Sequence, residues 1–262
     1  MITYVKNMME KCEVLEMSDK QSYPQKSETY DLLSSYKNSD PQLHDYYYHK
    51  HLKSLENSTY RNEQITVLLP AQVRFLHAAP TAHPFDVYVN EMRILKNFSY
   101  KESNGYSPLP PGKYQLDIYR SGQNTSPLLS CKVALEIGAS YTIALAPTVA
   151  NESLKISPFE DNPSVPPNEA KVRFIQLSHD LLSVDIAVKG GDVVFDQLHF
   201  RKASEYLTIH PMIVDFEVRK AGTKEIALPL PNKAFQENTS STIYIIGSNQ
   251  ESSSLETLTL SP

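Results

Sequence analysis

From Ala71 onward the chain alternates apolar and polar positions with the period of two that a half-buried β-strand demands. Val73, Phe75 and His77 alternate with Arg74 and Leu76, and Tyr114, Leu116 and Ile118 alternate with Gln115, Asp117 and Tyr119. Val133, Leu135 and Ile137 alternate with Lys132, Ala134 and Glu136. Two further runs, Asp86-Val87-Tyr88-Val89 and Tyr141-Thr142-Ile143-Ala144-Leu145, are rich in β-branched and aromatic residues. Turn formers punctuate them: Ala79-Pro80, Asn90-Glu91, Pro110-Pro111-Gly112-Lys113, Ser121-Gly122 and Ile137-Gly138. Gly190-Gly191, between Val188 and Val193, reads as a hairpin turn. Short strands spaced by about 8–12 residues predict a sandwich or barrel.

The pattern occurs twice. AQVRFLHAAPTAHPFDVYV near Ala71 matches AKVRFIQLSHDLLSVDIAV near Ala170. Val73-Arg74-Phe75 aligns with Val172-Arg173-Phe174, and Asp86-Val87 with Asp185-Ile186. After one inserted residue, Tyr106 aligns with Tyr206, Pro111 with Pro211, Leu116-Asp117-Ile118 with Phe216-Glu217-Val218, and Gly122 with Gly222. An almost constant offset across a whole unit means duplication.

The stretch before the repeats differs. Residues 1–64 hold half of the 16 tyrosines, among them Tyr46, Tyr47 and Tyr48, but lack strand-like alternation. Met8, Met9, Cys12 and Leu15, and again Leu43, Tyr47, His51 and Leu55, follow helical spacing. Too little apolar surface is present to offset the entropy of ordering, so a partly disordered, partly helical arm is expected. Four parts follow: an arm over 1–64, a first repeat over 65–156, a Pro-rich linker over 157–169 acting as a stiff spacer, and a second repeat over 170–262.

Composition narrows the function. A formal charge of -5 supplies no basic stripe for nucleic acid. Cys12 and Cys131 are too sparse for a disulfide scaffold and read as reduced thiols. No segment has the apolar length of a membrane span, and the charged stretch Met1–Asp19 lacks the apolar core of an export signal. Synthesis and retention in the cytoplasm of the producing cell are expected.

VRFLHAAPTAHPFDVYVN, then Y-K-E-S-x-G-Y and L-P-P-G-K-Y, resembles the bacterial domain-of-unknown-function family 4397. The motif positions are His77, Pro80, Asp86, Tyr106 and Gly112 in the first copy, with Asp185 and Tyr206 in the second. The second copy departs from the motif at Gln176, His179 and Met212. The resemblance implies two tandem immunoglobulin-like or prealbumin-like β-sandwiches, an all-β fold, and no activity. A Tyr-rich arm on a chain made without export also resembles coat proteins of Bacillus-like spores.

No candidate site outweighs a structural role. His77, His83 and Asp86 suggest a metal site, but His77 shares a strand face with Val73 and Phe75, and Gln176 in its place is a poor ligand. Asp86 and Asp185 lack a partner acid or nucleophile, so they are expected to cap a turn or to pair with Arg74 and Arg173. His44, His49 and His51 flank the three tyrosines without sharing a helical face. Tyr46, Tyr47 and Tyr48 suit either packing against a partner or oxidative cross-linking. Glycine loops for phosphate and nucleophile or zinc motifs are absent. The expectation is a non-catalytic structural or interaction protein of the spore coat, with other coat or envelope proteins as partners. No cofactor, metal, nucleic acid or membrane insertion is expected. The alternative is a glycan- or peptide-binding sandwich of the cell envelope.

Overall fold

A computed structural model describes residues 49–50, 52–53, 69–80, 83–123, 125–148, 153–248 and 254–261. The arm's Tyr46, Tyr47, Tyr48, His44 and His51 lie outside them, while His49, Lys50, Leu52 and Lys53 are helical. The first copy supplies β1 (Ala71–His77), β2 (Phe85–Val89), β3 (Met92–Phe98), β4 (Ser107–Leu109), β5 (Gly112–Arg120), β6 (Leu129–Leu135), β7 (Ser140–Pro147) and β8 (Leu154–Asp161). The second repeats the series as β9 (Ala170–Gln176), β10 (Ser183–Val188), β11 (Val193–His199), β12 (Leu207–Ile209), β13 (Met212–Lys220), β14 (Ile226–Phe235), β15 (Thr239–Ile246) and β16 (Glu256–Leu260).

Each copy builds two sheets with the same pairing. One sheet runs β3-β2-β5-β6 in the first copy and β11-β10-β13-β14 in the second, antiparallel throughout. In the other sheet β7 lies between β1 and β8, and β15 between β9 and β16. Here β1 and β9 run parallel to β7 and β15, pairing Phe75 with Ile143 and Phe174 with Ile243. Such pairing joins the first strand of each copy to its seventh.

Local chemistry explains the turns and bulges. Asn90 and Glu91 both adopt positive φ in the two-residue turn between β2 and β3, the geometry that matches strand twist. The second copy uses Gly190 there, with φ of +67°, and the Gly191 N–H returns to the Val188 carbonyl at 2.8 Å. Asn97 and Gln197 take positive φ within β3 and β11, where the pairing register shifts.

Between its two sheets the second copy buries Val172, Phe174, Val184, Ile186, Phe216, Val218, Ile243 and Ile245, the inward set that the alternation predicts. The first copy buries the matching Val73, Phe75, Val87, Leu116, Ile118 and Ile143. The opposite faces of the parallel-paired strands are buried as well. Leu76, Ala78, Ala144, Ala146 and Phe159 of the first copy pack with Ile175, Leu177, Tyr244 and Ile246 of the second in a common apolar cluster. Apart from Pro108 and Leu109 of β4, the strands of both copies accordingly fall within one compact unit, Ala71–Ser107 with Gly112–Pro262.

The boundary expected at residue 157 falls inside β8. Ser157–Asp161 pair with Ser140–Ala144, and Ser157, Phe159 and Asp161 are buried. The strand-free connection is 162–169, and the copies it joins share a core, so the stiff spacer expected over 157–169 is shorter than the sequence suggests.

Candidate functional site

The polar centre of the molecule lies where the copies meet. Thr142 pairs with Phe159, and Thr242 with Leu260, so Glu160 in the first copy corresponds to Ser261 in the second. Arg173 donates from Nη1 to the Glu160 carbonyl at 2.7 Å, and Arg74 donates from Nη1 to the Ser261 carbonyl at 2.6 Å. Each arginine also donates from Nε to the threonine beside it, Arg74 to Thr142 at 2.7 Å and Arg173 to Thr242 at 3.1 Å. Each guanidinium lies over a motif tyrosine, Arg74 over Tyr106 and Arg173 over Tyr206, both at 4.6 Å from the ring centroid. The contacts are reciprocal, as in an isologous dimer interface.

One residue breaks the symmetry. Asp161 is fully buried, accepts from Arg173 Nη2 through Oδ1, and lies 3.8 Å from Arg74 Nη2 through Oδ2. Its Oδ2 also accepts from Tyr106 at 2.6 Å and from Thr142 at 2.5 Å. The second copy has Pro262 in the corresponding sequence position, so one carboxylate serves two buried cations. Burial and the bond to Asp161 together push the Tyr106 phenol above its ordinary range.

The motif aspartates hold backbone, not arginines of the first strand. Asp86 accepts the Asn97 N–H at 2.9 Å and an Arg93 contact at 3.3 Å. Asp185 accepts the Gln197 N–H and the Gly222 N–H, both at 2.8 Å. Each therefore clamps the bulge on the neighbouring edge strand. The expected pairings with Arg74 and Arg173 are replaced by Asp161, because those arginines point to the opposite face of their sheet.

His77 is completely buried, stacked on Phe85 at 4.5 Å and flanked by Phe98 and Tyr100. Neither ring nitrogen has a hydrogen-bond partner, and burial lowers its pKa to about 4. His83 is exposed, so the two histidines and the bulge-bound Asp86 occupy different environments. Among the described residues, no group of three or more His, Cys, Asp or Glu side chains is arranged to hold a metal. Gln176, at the His77 position, is satisfied instead: its Nε2 donates to the Leu181 carbonyl at 2.7 Å and its Oε1 accepts from the Ser178 N–H at 2.9 Å. Pro80 is half-buried in the loop after β1, and Gly112 opens β5 on the surface. No helix among the described residues is long and apolar enough to cross a membrane.

Residues 71–187 match DUF4397, a domain of unknown function. The DUF4397 match spans the first copy and runs on through β9 into β10 of the second, supporting that domain family for the region. The reciprocal Arg74 and Arg173 both fall within it. No curated protein matches the chain. Among solved structures, a candidate cell adhesion protein from Bacteroides fragilis NCTC 9343 is similar at 8% identity, over 74% of this chain and 97% of that one. Its TM-score is 0.17, too low for a structural argument.

Proposed function

We propose that this is a non-catalytic structural and interaction protein of the bacterial spore coat, in which two DUF4397-like copies act as a single block. Each copy is read as an immunoglobulin-like or prealbumin-like sandwich. The observation that supports the reading is the shared apolar cluster sealed by the reciprocal arginines. Independent binding domains usually meet through modest, polar contacts that allow relative motion. A buried core between copies instead suits a load-bearing unit.

The Tyr-rich arm would dock the block to other coat or envelope proteins, with Tyr46, Tyr47 and Tyr48 packing or cross-linking there. The protein would be made in the cytoplasm and laid onto the forespore. A fluorescent fusion followed through sporulation tests this. Signal gathering around the forespore, and protein retained in the insoluble spore fraction, is the expected result. A uniform cytoplasmic signal rejects the coat assignment. Dityrosine fluorescence in the assembled fraction, lost when Tyr46–Tyr48 are changed to Phe, would assign cross-linking over packing.

A further inference from the structure

The copies differ on the outward face of the sheet β3-β2-β5-β6. The register places Arg93, Tyr88, Asp117 and Ser130 in one row across its four strands. Tyr119 stands in the next row, opposite Asp86 and diagonal to Tyr88. The Tyr88 and Tyr119 rings meet edge to face, with centroids 5.0 Å apart, and both are only half-buried. Beside them, Asp117 Oδ1 accepts from Gln115 Nε2 at 3.2 Å and from the Ser130 hydroxyl. Gln115 Nε2 also donates to Ser130 Oγ at 2.6 Å.

The second copy fills the same row with Val193, Ala187, Glu217 and Pro229. Arg219 replaces Tyr119 and folds over Glu217, donating at 2.7 Å and 3.0 Å, with a further bond to the Val188 carbonyl at 3.3 Å. Glu217 and Arg219 close on each other there, both buried. The first copy keeps the same backbone but opens the face, presenting aromatic surface beside a preordered acceptor array.

We infer that the outward face around Tyr88, Tyr119, Gln115 and Asp117 binds a neutral pyranoside chain. A sugar ring has an apolar face of C–H groups that stacks on an aromatic ring, and an edge of adjacent hydroxyls. A carboxylate and an amide fixed by mutual bonds receive and supply the hydrogen bonds of such an edge without losing freedom on binding. Charge complementarity favours this occupant. Arg93 and Asp86 neutralise each other at 3.3 Å, and Lys132, across from Gln115, offsets the charge of Asp117 one row away, so these four groups sum to zero and offer no net field to attract a polyanion or a basic peptide. The half-buried tyrosines supply contact area at low entropic cost. This inference stands apart from the coat assignment, because it concerns the purified chain.

The test uses the full chain and titrates it with cellohexaose and N-acetylchitohexaose while following tyrosine fluorescence or NMR shifts. Polygalacturonate and a lysine-rich peptide serve as charged probes. The expected result is saturable binding of at least one neutral hexasaccharide. Tyr88→Ala and Tyr119→Ala are each expected to weaken it by about tenfold, and Asp117→Ala similarly. Asp117→Asn should retain part of the affinity, since the amide still bonds hydroxyls. Glu217→Gln, on the closed face, should leave binding unchanged. Unaltered far-ultraviolet dichroism and an unaltered melting profile would show that the variants fold. Absence of binding to both neutral probes overturns the inference, as does binding that survives Tyr88→Ala in the folded variant or that occurs only with the charged probes.

Discussion

Arg173 of the second copy and Asp161 of the first form a buried ion pair, with 5% and 0% of their side chains exposed. Removing one member of such a pair leaves the other charge buried and uncompensated. Asp161→Asn is therefore expected to cost about 3–5 kcal/mol in urea unfolding. The loss should exceed that of a typical surface charge because Arg74 also faces Asp161. Arg173→Met combined with Asp161→Asn should recover part of the loss, a coupling that a double-mutant cycle measures.

His77 predicts an acid-sensitive step. The ordinary value for the unfolded chain is 6.5, and burial lowers the folded value to about 4. Between these values the unfolded chain binds a proton that the folded chain refuses, so stability rises with pH across this window and falls on acidification. By pH 4 the loss reaches about 3 kcal/mol. His77→Gln, the residue of the second copy, should flatten the slope of stability against pH between 6.5 and 4. An unchanged slope in the variant rejects the assignment.

The bulge clamps can be weighed against each other. Asp185 accepts two backbone N–H groups, whereas Asp86 accepts one and shares its second oxygen with half-exposed Arg93. Bonds to a charged group contribute about 1.5–3 kcal/mol each. Asp185→Ala should therefore destabilise more than Asp86→Ala, read as the shift in denaturation midpoint at constant slope.

Two glycines separate strain from collision. Gly222 has φ of +72° with open space where a Cβ would sit, so Gly222→Ala should cost about 1–2 kcal/mol from backbone strain alone. Gly247 has φ of +85°, and a Cβ there would lie 2.3 Å from the Ser254 carbonyl oxygen. Gly247→Ala should cost more than Gly222→Ala and should loosen the β15–β16 pairing, visible as faster amide exchange at Ile246.

The strands, their inward residues and the duplication were legible because burial against one core imposes a period of two, and Val73, Phe75, Ile118 and Ile186 obey it. The second layer was written in the same residues but is harder to read. Tyr141–Pro147 and Ser240–Ile246 are buried at nearly every position, as strands covered on both faces must be. Leu76, an apolar residue in the polar phase of β1, carried the same signal. Asp161 was hidden for another reason: it sits between Pro158 and Pro163 in a stretch that reads as spacer, and nothing local marks it as the shared partner of Arg74 and Arg173. The tyrosine row was invisible as a unit, since Tyr88 and Tyr119 become neighbours only through the β2–β5 register.

Reciprocity at the meeting of the copies also defines how chains can exchange. The face that the first copy presents to the second fits the second copy of any other chain equally well, and only the segment 162–169 keeps the union internal. Opening at that joint at high concentration thus has a specific product, a domain-swapped pair in which every arginine recovers its carbonyl from the neighbouring chain.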